Sequence, residues 1–151
     1  MNGKKILLVI LAIVLIVLFY ACSGRGYKDT AIEFVEAIYE ADADTFVSLM
    51  SDSLQYELME AQDASTEKIL VNTIQKILDS NIESMKSNYG KKWKYDIEYI
   101  DSVKDEDTCI VTIDVTYTGK SWFSDKQDTD TIELELIKDG INWYVNSFPD
   151  L

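Results

Sequence analysis

The sequence predicts an α+β fold: N-terminal helices packed on a curved four-stranded antiparallel sheet, preceded by a signal or anchor helix. Two observations predict the domain. Residues 30–87 repeat their apolar side chains at helical spacing and residues 91–148 alternate them at strand spacing, and runs of helices followed by runs of strands define the α+β class. The third observation concerns the leading segment. Lys4 and Lys5 precede an unbroken apolar run from Ile6 to Ala21 that stops at Cys22, the pattern of an export signal.

The chain has 151 residues, 27 acidic and 14 basic, for a formal charge of -13, and no histidine. That length accommodates one domain with an export segment. The hydrophobic fraction of 47% supports a packed core despite the charge. Without histidine there is no Ser-His-Asp or Cys-His mechanism and no imidazole zinc site. The strong negative charge opposes nucleic acid as a partner, since phosphate backbones need clustered Lys and Arg.

The run Ile6–Ala21 is 16 residues long, slightly under the roughly 17–25 of a spanning helix. The two lysines hold the N-terminus inside, so the remainder is exported whether or not the segment is cut. Leu18-Phe19-Tyr20-Ala21-Cys22-Ser23-Gly24 resembles the lipobox of bacterial lipoproteins. Ala21 and Cys22 match it; Phe19 and Tyr20 are bulkier than the family's usual residues, and Leu18 stands one position early. The resemblance implies acylation of the Cys22 thiol and cleavage before it. The alternative is an uncleaved Ile6–Ala21 anchor. The expected organisation is therefore a lipoprotein signal peptide or uncleaved anchor at 1–21, a short tether at 22–27 and a single domain at 28–151. Cleavage deletes Lys4 and Lys5 and no acid, taking the charge from -13 to -15. Lipidation of Cys22 leaves Cys109 unpaired, and its place in the alternation Cys109, Val111, Ile113, Val115 assigns it to packing.

In the helical half, Thr30-Ala31-Ile32-Glu33 has the form of a capping box. Ala31, Phe34, Val35, Ile38 and Ala41 follow at helical spacing. Asp44 is placed to cap a second helix carrying Phe46, Val47, Leu49 and Met50, and Ser51-Asp52-Ser53 a short third one with Leu54 and Leu58. Ser65 or Thr66 opens the longest helix, with a stripe of Leu70, Ile74, Ile77, Leu78, Ile82 and Met85, and Tyr89-Gly90 closes it.

In the strand half, Trp93, Tyr95, Ile97 and Tyr99 alternate with Lys94, Asp96 and Glu98. Residues 108–118 repeat the pattern, as do Ile132, Leu134 and Leu136. Asp139-Gly140 is a hairpin signal. Placing it at the turn pairs Leu136 with Trp143 and Leu134 with Val145. One apolar face per strand means a sheet with one wet side, its dry side covered by the long helix.

These residues carry a second resemblance. The stretch Ala31, Phe34, Val35, Ala37, Ile38, then Asp42 and Asp44 leading into Phe46, Val47, Leu49 and Met50, then a long helix and four strands closing on Gly140-Ile141-Asn142-Trp143-Tyr144-Val145, resembles the nuclear-transport-factor-2-like, cystatin-like superfamily. Over about residues 28–148 it is similar to small bacterial lipoproteins of that superfamily, many of them domains of unknown function. The resemblance implies a cone with a cavity between sheet and long helix. Relatives use such a cavity for isomerase or dehydratase chemistry, for ligand binding, or fill it. Enzymatic relatives place an Asp, His or Tyr there; this chain has no histidine, and Asp96 and Asp114 fall on the polar face of their strands.

Trp122 and Phe123, in a loop from Gly119 to Asp128, are candidate partner or membrane contacts. Tyr95, Tyr99, Tyr117 and Trp143 are candidate ligand contacts, with plain core packing as the competing reading. The acids Asp125, Asp128 and Asp130, and Asp101, Asp105, Glu106 and Asp107, match no calcium loop. Glu36 and Glu40 share an exposed helix face. The expectation is thus a membrane-anchored lipoprotein on the extracytoplasmic face of a bacterial cell membrane, with a noncatalytic ligand- or protein-binding domain and no cofactor or metal. One alternative is an anchored assembly component similar to conjugation-channel proteins of this fold. The other is a small cavity enzyme, which needs a buried carboxylate with a raised pKa.

Overall fold

The computed structural model describes residues 24–120 and 124–149. The signal segment, Cys22, Trp122 and Phe123 lie outside the described residues. No helix among the described residues is long and apolar enough to cross a membrane.

Helix α1 spans Tyr27–Glu40, α2 Ala43–Ser48, α3 Asp52–Ala61 and α4 Glu67–Tyr89. Helix α1 starts three residues ahead of the expected capping box. Its cap is Gly26, with extended backbone and no side-chain bond. Thr30 is already inside the first turn and fully buried, and its hydroxyl donates to the Trp143 carbonyl at 3.1 Å. Burial accounts for the difference: a buried carbonyl needs a donor, whereas the first-turn N–H groups of a surface helix start can use water. Glu33 pairs with Arg25 at 3.3 Å instead of bonding back to Thr30. Ala41 ends the helix in the left-handed region, at φ 54°.

Helix α2 is capped by Asp42, whose carboxylate accepts from the Thr45 N–H at 3.0 Å; the expected cap, Asp44, lies one residue inside the helix. Ser51 caps α3, accepting from the Leu54 N–H at 3.2 Å. Thr66 caps α4, accepting from the Ile69 N–H at 3.3 Å. The 23 residues of α4 make it about 35 Å long. Leu70, Ile74, Leu78 and Tyr89 are its buried residues, and Gly90 ends it with φ 88°.

The sheet is an antiparallel meander of β1 (Lys94–Asp105), β2 (Thr108–Lys120), β3 (Asp125–Asp139) and β4 (Asn142–Ser147), in that spatial order. Its inner face carries Cys109, Val111, Ile113, Val115, Leu134, Leu136 and Val145, each at most 1% exposed. They meet Phe34, Phe46, Leu70 and Leu78 from the helices in one core. A bulge between Tyr99 and Asp101 inserts Ile100, so Ser102 and Lys104 take the inward register and Val103 turns out. The far edge is covered where Leu49–Ser51 bridges β4: Ser51 N–H donates to Val145 O and Val145 N–H to Leu49 O, both at 2.8 Å, a common protection of an open edge.

Two strand expectations are corrected. The β3–β4 turn is Gly140-Ile141, flanked by the pair Asp139–Asn142, and Leu136 pairs with Val145 while Lys138 pairs with Trp143. Gly140 is the turn residue with positive φ, as a turn with glycine in the first central position requires. The slip is two residues, so every side chain keeps its expected face. The loop expected at Gly119–Asp128 is mostly ladder, since Lys120 pairs with Asp125. Polar cross-strand pairs support that extension: Thr116 bonds Thr129 at 3.0 Å, and the Thr131 hydroxyl donates to Asp114 at 2.6 Å.

The tether lies at one end of the domain. Arg25 N–H donates to the Asn142 side chain at 2.9 Å, and Trp143 N–H to Arg25 O at 3.3 Å. Helix α1 then carries the chain about 21 Å to Tyr39 at the opposite end.

Candidate functional site

A cavity of about 500 Å³ opens between the C-terminal half of α4, the end of α1 and the inner face of β2 and β3. That volume is within the roughly 300–1,000 Å³ typical of small-molecule sites. Its lining divides by chemistry. Phe34, Ile38, Ile82, Met85, Leu134 and Phe148 form an apolar part, in which Phe34 stacks on Phe46 with centroids 4.3 Å apart. Tyr39, Tyr89 and Tyr117 form an aromatic end, with Asn88 and the Asp130 carboxylate beside them.

Each element delivers its residues by period. The α4 stripe continues from Ile82 and Met85 to Tyr89, one turn further along the same face. On β3, the inner positions Ile132, Leu134 and Leu136 continue backward to Asp130 and Asp128, which pair with Val115 and Tyr117 of β2. The apolar alternation therefore ends in two carboxylates on the cavity side.

The tyrosines are tied together. The Tyr39 and Tyr117 hydroxyls share a hydrogen bond at 2.5 Å. Tyr117 packs against Tyr39 and Tyr89 with centroids 5.6 and 5.7 Å apart. Tyr89 donates to Asp128 at 2.8 Å. Burial, then the nearby carboxylates Asp128 and Asp130, pushes the Tyr89 phenol up to about 12. Burial raises Tyr117 further, reinforced by its bond to Tyr39 and by Asp130, and Tyr39 is raised mainly by burial. All three are neutral hydroxyls near pH 7. Asp128 is also approached by Lys126 at 3.9 Å, whose ammonium lies 4.5 Å from the Tyr89 ring centroid. Asp130 is the charged residue of the cavity lining among the described residues, and it is exposed to solvent at the mouth.

Among the sequence-derived candidates, Tyr117 lines the cavity. Tyr95 stands next to it, 5.1 Å from the Tyr39 ring, and donates to Glu40 at 3.4 Å. Tyr99 lies further along β1, donating to Ser102 at 2.7 Å, with the Lys28 ammonium 4.5 Å from its ring centroid. Trp143 is buried edge-on against Tyr27 near the tether. Asp96 and Asp114 are on the outer face, paired with Thr116 and Glu98. Residues that sequence reasoning missed are Tyr39, Tyr89 and Asp130. Extending the α4 and β3 periodicities by one step identifies the last two.

The architecture, helices packed on a curved four-stranded antiparallel sheet, has the NTF2-like α+β fold. The chain is similar to a structure from Campylobacter jejuni named as an NTF2-like transpeptidase, with TM-score 0.50 and 17% identity over 80% of this chain and 96% of that one. It is also similar to a Thiobacillus denitrificans structure named as a calcium/calmodulin-dependent protein kinase type II association domain, with TM-score 0.54 and 7% identity over 81% and 90%. A Nostoc punctiforme protein of unknown function with a cystatin-like fold matches at TM-score 0.43 and 8% identity over 81% and 89%. No protein-family model and no curated protein sequence matches the chain. At 17% and 7% identity, the likeness to the first two structures shows the fold alone.

Proposed function

We propose that the protein is a membrane-anchored extracytoplasmic lipoprotein whose cone domain binds a small ligand without transforming it. The observation that carries the binding half is the cavity itself: a concave site with an apolar part and a few convergent polar groups, Tyr117, Asn88 and Asp130 among them. The anchoring half rests on the apolar run ending at Ala21-Cys22. Native mass spectrometry of the full chain extracted from its own membranes tests both halves. The expected species is residues 22–151, acylated on Cys22, carrying a small noncovalent adduct that a cavity-filling Met85→Trp variant loses. An unmodified chain starting at Met1 in the soluble fraction contradicts the anchoring, and a wild-type protein without adduct contradicts the binding.

A second reading, an anchored assembly component, is favoured by one observation. Val103 and Ile110, directly paired on the outer face of the sheet, are 68% and 47% exposed, and exposed apolar groups mark protein contacts. Co-purification that a Val103→Lys, Ile110→Lys variant abolishes supports it, and unchanged co-purification removes it.

A further inference from the structure

The lining of the cavity is unbalanced in charge. Asp130 is an acid, no lysine or arginine among the described residues lines the cavity, and the neighbouring groups at that end are the rings and hydroxyls of Tyr39, Tyr89 and Tyr117. Asp130 makes no ion pair among the described residues, whereas Asp125 and Asp128 are approached by Lys120 and Lys126. Its negative field reaches all three phenols, contributing to the upward shift of each. Aromatic faces attract cations through their quadrupole, and the Lys126 ammonium over the Tyr89 ring is an instance of that chemistry within the molecule. Beyond the tyrosines the walls turn apolar toward Phe34, Leu134 and Phe148, where a charged group has nothing to pair with.

We propose that the cavity selects an organic monocation with an apolar body. Its ammonium sits at the aromatic end against the Asp130 carboxylate and the tyrosine rings and hydroxyls, and its hydrocarbon lies along Met85, Leu134 and Phe148. This rests on the reading that the cavity binds a ligand, and adds the charge and shape of that ligand. Carboxylates and phosphates are disfavoured by Asp130, and neutral alcohols gain only the tyrosine and asparagine hydrogen bonds.

Three near-isosteric probes separate these classes: 2-phenylethylammonium, 2-phenylethanol and 3-phenylpropanoate. Each is titrated calorimetrically into the full chain in phosphatidylcholine nanodiscs, with empty nanodiscs as blank. The expected order is the ammonium about tenfold tighter than the alcohol, with the carboxylate weakest and the ammonium affinity falling as salt rises. Asp130→Asn removes the preference, bringing the ammonium down to the level of the alcohol in the same variant. Asp125→Asn, an exposed acid on the same strand outside the lining, changes neither affinity. An alcohol or carboxylate that binds as tightly as the ammonium overturns the charge assignment while the binding reading stands. Absence of binding by all three overturns the inference, and the binding reading falls with it only when the membrane-extracted protein also carries no adduct.

Discussion

The hydroxyls of Tyr39, on α1, and Tyr117, on β2, meet at 2.5 Å across the aromatic end of the cavity. The bond joins residues 78 positions apart and holds the end of α1 against the sheet where the cavity opens. Removing one partner leaves the other half-buried hydroxyl unsatisfied, which costs more than the net worth of the bond. Tyr117→Phe is expected to lower stability by about 1–2 kcal/mol, and the Tyr39→Phe, Tyr117→Phe pair by less than the sum of the singles. Urea denaturation of the four proteins of the cycle checks this; strictly additive losses contradict the coupling.

The same tyrosines set a limit at alkaline pH. Their folded-state pKa values lie above the unfolded value of 10.0, with Tyr89 at about 12. A raised folded pKa means that the folded state keeps its proton longer, so the stability it contributes is complete below pH 10 and is lost as pH climbs toward 12 and beyond. Spectrophotometric titration of tyrosinate is expected to show a late-ionising group, Tyr39, Tyr89 and Tyr117 together with Tyr95, which burial and Glu40 also raise, coincident with loss of structure. Tyr39, Tyr89 and Tyr117 ionising near pH 10 in the folded protein contradicts the burial of this cluster.

Gly119 sits where β2 passes the end of α4. A Cβ at that position collides with the backbone carbonyl oxygen of Tyr89, and neither backbone yields as a flexible side chain does. Gly119→Ala is expected to cost about 1–3 kcal/mol and to move Tyr89 relative to Asp128, weakening binding at the cavity mouth. Thermal or urea denaturation and the ammonium titration measure both effects; an unchanged protein shows that the close approach carries no weight.

Cys109 is 1% exposed, and burial pushes its thiol pKa up, with Ser102 and Lys104 opposing. A thiol held protonated and out of solvent reacts slowly. Alkylation at Cys109, read by peptide mass mapping, is expected to be negligible in the folded protein and complete in denaturant. Rapid native labelling contradicts its assignment to the core.

Much of this fold is legible in the sequence because it depends on period. The β3–β4 hairpin illustrates the point: pairing Leu136 with Trp143 is two residues away from the observed Leu136–Val145, yet an even slip preserves every face. Caps were less legible. Thr30 looks like a cap in sequence, but its hydroxyl is taken by the Trp143 carbonyl, a partner 113 residues away that local reading does not supply. The candidate site was hidden for two reasons. Asp128 and Asp130 read as a polar loop, although they stand four and two places before Ile132 on the same face of β3. The Tyr39–Tyr117 contact has no local signature, since it exists only once α1 has been laid on the sheet.

Ligand binding requires the space between α4 and the sheet to be open in the native protein. A crystal structure of the protein as extracted from its own membranes, without a refolding step, decides this. The expected structure holds a small organic molecule in the cavity, touching Tyr117 and Asp130 and lying over Met85 and Leu134. A helix α4 closed down on β2 and β3, with Tyr89, Met85 and Phe148 filling the space between them, contradicts it.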